Sequence, residues 1–111
     1  MAEPEGGWRI TAEQARNAEP EPGRGSALLM RHGTMTLRHY APRGHDPQKP
    51  HRQDELYVVL SGTGTFTRNG ERTPFAPGDV LFAAAGDDHR FQDFSDDFET
   101  WVMFYGPEGG E

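Results

Sequence analysis

From Ser26 onward the sequence falls into short runs of period two, each closed by turn residues. Successive side chains of an extended strand point to opposite faces, so this period suits half-buried strands rather than amphipathic helices. The candidate strands read ALLMRHG, TMTLRHYA, ELYVVLSG, GTFTRNG with its return ERTPF, DVLFAAA, HRFQDF and ETWVMFYG. Asn69-Gly70 is the strongest hairpin signal, because a tight two-residue turn needs positive φ at both central positions. Pro77-Gly78-Asp79 and Ala85-Gly86-Asp87 mark two further turns. Seven or more short strands in about eighty-five residues must form two packed sheets or a closed barrel, since open edges aggregate. The expectation is a single all-β domain over residues 26–106.

The start of the chain has a different character. Met1 to Gly25 is rich in Glu, Pro, Gly and Arg, and only WRITAEQARNA looks ordered. Thr11 and Gln14 have the spacing of a capping box for a short helix, which Pro20 and Pro22 stop. Residues 1–25 therefore read as an arm pinned to the body by Trp8 and Ile10, and 107–111 as a tail. A length of 111 residues fits one domain. The formal charge of −7, with no Lys/Arg cluster to offset it, argues against nucleic acid. Without cysteine there is no disulfide, no thiolate nucleophile and no Cys-based zinc site. The N-terminus has no basic start followed by an apolar run, and no run of eighteen apolar residues occurs; a cytoplasmic chain with no membrane partner is expected.

The stretch KPHRQDELYVVLSGTG, Lys49 to Gly64, holds the chemistry. His51 and Glu55 stand at the entrance of a strongly β-prone strand. Residues four apart on a strand share a face but lie about 13 Å apart, nearly too far for both to reach one ion. A kink or bulge within Arg52 to Asp54 is therefore required if they share a site. His89 lies beyond a strand and a turn that return the chain toward this pair. Two imidazoles and a carboxylate suit divalent first-row ions such as Zn²⁺, Fe²⁺, Mn²⁺ or Ni²⁺ and leave positions open for water or substrate. Plainer readings exist beside this one: His51 as a loop histidine, His89 as a local ion-pair partner, Glu55 as a charge that blunts an edge.

These residues carry a resemblance. Gly44, His51, Glu55 and Gly62 fall on the first motif of the cupins, and Gly78, Asp79, Gly86 and His89 on the second. The chain is thus identified as a cupin, which implies a jelly-roll β-barrel with His51, Glu55 and His89 as metal ligands. Three positions depart from the family pattern: Lys49 replaces the first histidine, Ala84 a usual proline and Asp93 a common asparagine. Lysine has no lone pair to give a metal while charged. The fourth contact then falls to Gln53, whose parity matches His51 and Glu55, to His45, to water, or to nothing; a site that has lost its metal is the remaining outcome.

With Glu55 inward, Tyr57 and Val59 share its side, as does Phe91 counted from His89. The last strand turns in either Trp101, Met103 and Tyr105 or Thr100, Val102 and Phe104. The resemblance implies a metal-dependent enzyme, dioxygenase or isomerase-like, acting on a small organic molecule, with Tyr57 as the candidate catalytic group and Arg90 disfavoured by its outward parity. The alternative is the same barrel binding a small molecule or sugar without turning it over. Family members of this size also pair, so a homodimer formed through an edge strand and the N-terminal arm is expected.

Overall fold

The structure, a computed structural model, describes residues 3–111; of the expected arm, Met1 and Ala2 lie outside the described residues. The helix expected near Thr11 is α1, Ala12–Asn17, and both arms of its capping box are made: Gln14 N–H donates to Thr11 Oγ1 (3.1 Å) and Thr11 N–H to Gln14 Oε1 (2.8 Å). Eight strands follow: β1 Ser26–His32, β2 Met35–Tyr40, β3 Asp54–Ser61, β4 Gly64–Arg68, β5 Glu71–Phe75, β6 Val80–Ala83, β7 His89–Gln92 and β8 Glu99–Tyr105. All pair antiparallel, in a five-stranded sheet of order β1-β2-β8-β3-β6 and a three-stranded sheet of order β5-β4-β7. Of the two arrangements open to so many strands, the described residues take packed sheets; no ladder closes the two into one hydrogen-bonded barrel.

The sheets face one another across an aromatic core. Phe91 on β7 sits at its centre, with ring centroids 4.7 Å from Phe98, 4.9 Å from Tyr57, 5.0 Å from Phe66 and 5.4 Å from Phe75. Spacings in this range favour edge-on or tilted contacts, which add to the burial of area itself. Tyr57 and Val59 point inward as their parity requires. On β8 it is Thr100, Val102 and Phe104 that face in: the first two are buried and Phe104 packs against the core.

Two turn positions show why their residues were needed. Asn69 and Gly70 both have positive φ, 50° and 84°, as the β4–β5 hairpin demands. Gly62 has φ 88° after β3, and a Cβ there would lie 2.5 Å from Phe98 Cα, so only glycine lets the two segments approach.

Both ends of the chain differ from expectation. Of the two residues expected to pin the arm, Trp8 is 79 % exposed and Ile10 is half-buried. The arm is held by backbone bonds instead, Glu5 N–H to Arg31 O (2.8 Å) and Arg31 N–H to Glu5 O (3.0 Å), and by Arg16 of α1 donating to Glu99 of β8 (2.9 Å). Residues 107–111 fold back over the start of β3, where Gly109 N–H donates to Arg52 O (2.7 Å) and Glu111 N–H to Asp54 Oδ2 (3.1 Å). Composition alone made them look like a tail, because Gly and Pro hide backbone bonds of this kind.

Candidate metal centre

His51 precedes β3, Glu55 is its second residue and His89 is the first residue of β7, so the three come from the two facing sheets. The kink required between His51 and Glu55 is present: Arg52 and Gln53 are bends, and β3 begins only at Asp54. A backbone bond from Gly86 N–H to His51 O (2.8 Å) ties the β6–β7 turn to this kink, which brings His89 to the pair.

The result is a tight triangle of donor atoms. Glu55 Oε1 lies 2.5 Å from His51 Nε2 and 3.0 Å from His89 Nε2, and the two Nε2 atoms are 3.1 Å apart. Glu55 and His89 are fully buried, and His51 is partly exposed at 20 %. Both rings are oriented from behind: His51 Nδ1 is 2.9 Å from Gln53 O and His89 Nδ1 2.9 Å from Asp87 O. A carbonyl only accepts, so each Nδ1 carries the hydrogen and each Nε2 keeps its lone pair. Three electron-rich atoms pointed at one spot repel unless a cation lies among them. Ligands about 2.1 Å from one ion and at right angles stand about 3 Å apart, so the donor set fits a first-row ion bound on one face.

The electrostatics follow the same logic. Burial works to raise Glu55, but the imidazoles of His51 and His89 beside it outweigh that and hold it below the usual carboxylate range. Burial works to lower His89, and the Glu55 carboxylate, aided by the Asp87 carbonyl, raises it instead.

The other candidate residues lie elsewhere. Gln53 is not turned to the triangle: its Nε2 donates outward to Thr34 O (3.1 Å) and Gly106 O (2.9 Å), because the bend that joins His51 to Glu55 breaks the strand parity that would align Gln53 with them. His45 and Lys49 are exposed at the mouth of a cavity beside the triangle. Arg90 points outward and pairs with Asp88 at 3.0 Å. Tyr57 is wholly buried, its ring 6.3 Å from that of His89, and its hydroxyl donates to Gln48 Oε1 (2.8 Å). Burial first, and then Glu55, push this phenol well above its ordinary value, so it stays protonated.

One residue that sequence reasoning missed organises the site. Asp46 is buried and accepts from Tyr40 Oη (2.5 Å), Gln48 Nε2 (2.6 Å), Phe91 N (2.8 Å) and Gln48 N (3.2 Å). It locks the loop between β2 and β3 onto β7. The Asp46-Pro47 pair, an aspartate bonding the backbone two residues on, is a turn signal that would have found it. The cavity has a volume of about 730 Å³, with His51 and Glu55 in its floor and Tyr40, Val102 and Phe104 among its walls; fully buried His89 lies beneath. Phe104 meets the His51 ring edge-on at 4.7 Å. Among the described residues no helix is long and apolar enough to cross a membrane.

The chain is 44 % identical over 63 residues to an uncharacterised protein of Streptomyces coelicolor, covering 57 % of this chain and 60 % of that one. It is 32 % identical over 77 residues to the helix-turn-helix-type transcriptional activator RhaR of Mannheimia succiniciproducens, covering 68 % of this chain and 26 % of that one. The chain thus spans less than two thirds of the length of either relative. A cupin 2 conserved barrel domain protein of Salinispora arenicola has a similar fold, with TM-score 0.63, 20 % identity and 89 % of each chain covered. The cupin domain family matches residues 36–104, a span that runs from β2 through both halves of the donor triangle to β8, and the chain belongs to that family.

Proposed function

We propose that this protein is a metal-dependent cupin enzyme, dioxygenase or isomerase-like, acting on a small organic molecule in the cavity beside His51 and Glu55. The observation that carries the reading is the convergence of three lone-pair donors, within 2.5 to 3.1 Å of one another, at the floor of that cavity. His51, Glu55 and His89 hold the ion, with no protein ligand from Gln53 or Lys49. A divalent first-row ion (Zn, Fe, Mn or Ni) supplies Lewis-acid polarisation of a bound oxygen. The protein's own part is to orient and to exclude water: Phe104 meets the His51 ring edge-on, and Tyr57 serves as a neutral donor that steadies Gln48 rather than as a proton-transfer acid.

The test is elemental analysis of the purified chain. A first-row ion near one per chain, lost in His51→Ala and His89→Ala, is the expected result; a chain that takes up none from excess salt overturns the reading. Oxygen uptake and isomer formation across a panel of diketones, phenols, thiols and aldoses then select the reaction.

A second reading, a non-catalytic small-molecule or sugar-binding cupin domain, has one observation in its favour. Among the described residues lining the cavity, Glu55 is the single carboxylate and it faces both imidazoles, which leaves no second carboxylate for proton transfer. The relationship to part of a transcriptional activator agrees with it. Stoichiometric metal together with silence across the whole panel selects this reading.

A further inference from the structure

The chain carries eighteen acidic and eleven basic side chains, yet its cavity is lined the other way round. Arg24, Arg43 and Lys49 stand around the opening against one carboxylate, Glu55. Seven of the eleven Lys and Arg residues lie within salt-bridge distance of a carboxylate: Arg16, Arg31, Arg38, Arg52, Arg68, Arg72 and Arg90. Among the described residues four have no such partner, and three of those four are the cavity cations. An acidic surface with carboxylates to spare neutralises most of its cations by chance proximity; a cluster left uncompensated around a concave site is what recognition of an anion requires.

Two of the three are also held in place. Arg43 Nη1 donates to Ala41 O (3.3 Å), Pro42 O (3.1 Å) and Phe98 O (3.3 Å), neutral oxygens that fix the guanidinium without cancelling its charge. Arg24 lies over the Phe104 ring, 5.6 Å from its centroid, and Phe104 in turn meets His51. Partial burial, and secondly Arg38, bring Arg24 below its ordinary value against the smaller opposing pull of Glu21 and Glu55, a cost that an anion beside it would offset further. The third, Lys49, occupies the position where the family pattern has its first histidine.

We infer that the cavity takes a small organic acid, its carboxylate held at the opening by Arg24, Arg43 and Lys49 and its apolar body against Phe104, Val102 and Pro42. Planar guanidinium groups match a carboxylate with paired N–H donors, and the ammonium adds a point charge. This assignment rests on the reading of the cavity as the functional site, and it names the class of molecule bound there.

The test is calorimetric titration of the full chain, both freed of metal on a chelating resin and loaded with Zn²⁺. The probes are 3-phenylpropionate, 4-methyl-2-oxopentanoate and succinate, each set against its neutral amide, with inorganic phosphate as a further arm. The expected result is binding of at least one acid about tenfold or more tighter than its amide, a preference that shrinks as salt is raised. In the variant carrying Arg24→Gln, Arg43→Gln and Lys49→Gln the preference disappears while metal content is kept. Should that variant fail to fold, Lys49→Gln alone, at an exposed residue, is expected to weaken the acid by roughly threefold or more and leave the amide unchanged. Amides binding as tightly as acids, variants binding acids undiminished, or no acid binding at millimolar concentration each overturn the inference; phosphate outcompeting every acid overturns the carboxylate assignment. A chain that prefers acids but takes up no ion keeps this inference and removes the metal reading, and a chain that holds its ion but ignores charge does the reverse.

Discussion

A single atom decides whether each histidine is a ligand, and that atom is Nδ1. With Nδ1 of His51 and His89 spent on the carbonyls of Gln53 and Asp87, both Nε2 lone pairs face Glu55. Asp46 acts one layer further out, where four donors converge on a buried carboxylate. Asp46→Ala leaves the Tyr40 hydroxyl and the Phe91 N–H without their acceptor, and the expected loss is about 3 kcal/mol of stability, read by urea denaturation. The histidines and Glu55 were legible as chemistry because their residue types are those of metal ligands. Asp46 was not, because a buried carboxylate that accepts from backbone resembles any loop aspartate until its donors are located.

Among the elements, the β6–β7 turn matters most, since it delivers His89. Asp87 holds it by accepting from Arg68 Nε (2.7 Å), Asn69 Nδ2 (2.9 Å) and Ala84 N (2.8 Å). These bonds, Arg68 first and Asn69 next, depress the Asp87 carboxyl to about 2. A depressed carboxyl contributes stability that is complete above its unfolded value near 4 and is lost as pH falls through the folded value. Asp87→Asn is therefore expected to cost about 1 kcal/mol at neutral pH, with the gap to the parent closing between about pH 4 and pH 2 in thermal melts. The segment after β3 makes a harder demand. Gly62→Ala forces positive φ on alanine and a Cβ into Phe98 backbone, so a loss of about 3 kcal/mol is expected in denaturant midpoints. The glycines and turn residues were readable because few other residues tolerate positive φ, whereas the direction of Gln53 was lost to two bend residues that shift parity.

For the whole molecule, the triangle is a junction between sheets: β3 belongs to one and β7 to the other. An ion bound there would tie the two sheets together as well as complete the site. Metal at about a hundredfold excess over its dissociation constant should then stabilise the fold by about 3 kcal/mol, raising Tm by roughly 10–15 °C. Differential scanning calorimetry of metal-free and loaded chain checks this, and His89→Ala should show no such shift. The core beneath the site, built on Phe91 and its aromatic neighbours, keeps the apo sheets packed.

By itself the sequence determined the strands, the capped helix, the hairpin at Asn69-Gly70 and the need for a kink before Glu55, because alternation and turn chemistry act over a few residues. Only the tertiary structure decided which face of β8 turns inward, that Trp8 stays exposed, that residues 107–111 pack over Asp54 and that unpaired cations gather at the cavity. Each of these depends on contacts between segments far apart in the chain, where the partner rather than the local residue pattern sets the lowest free energy.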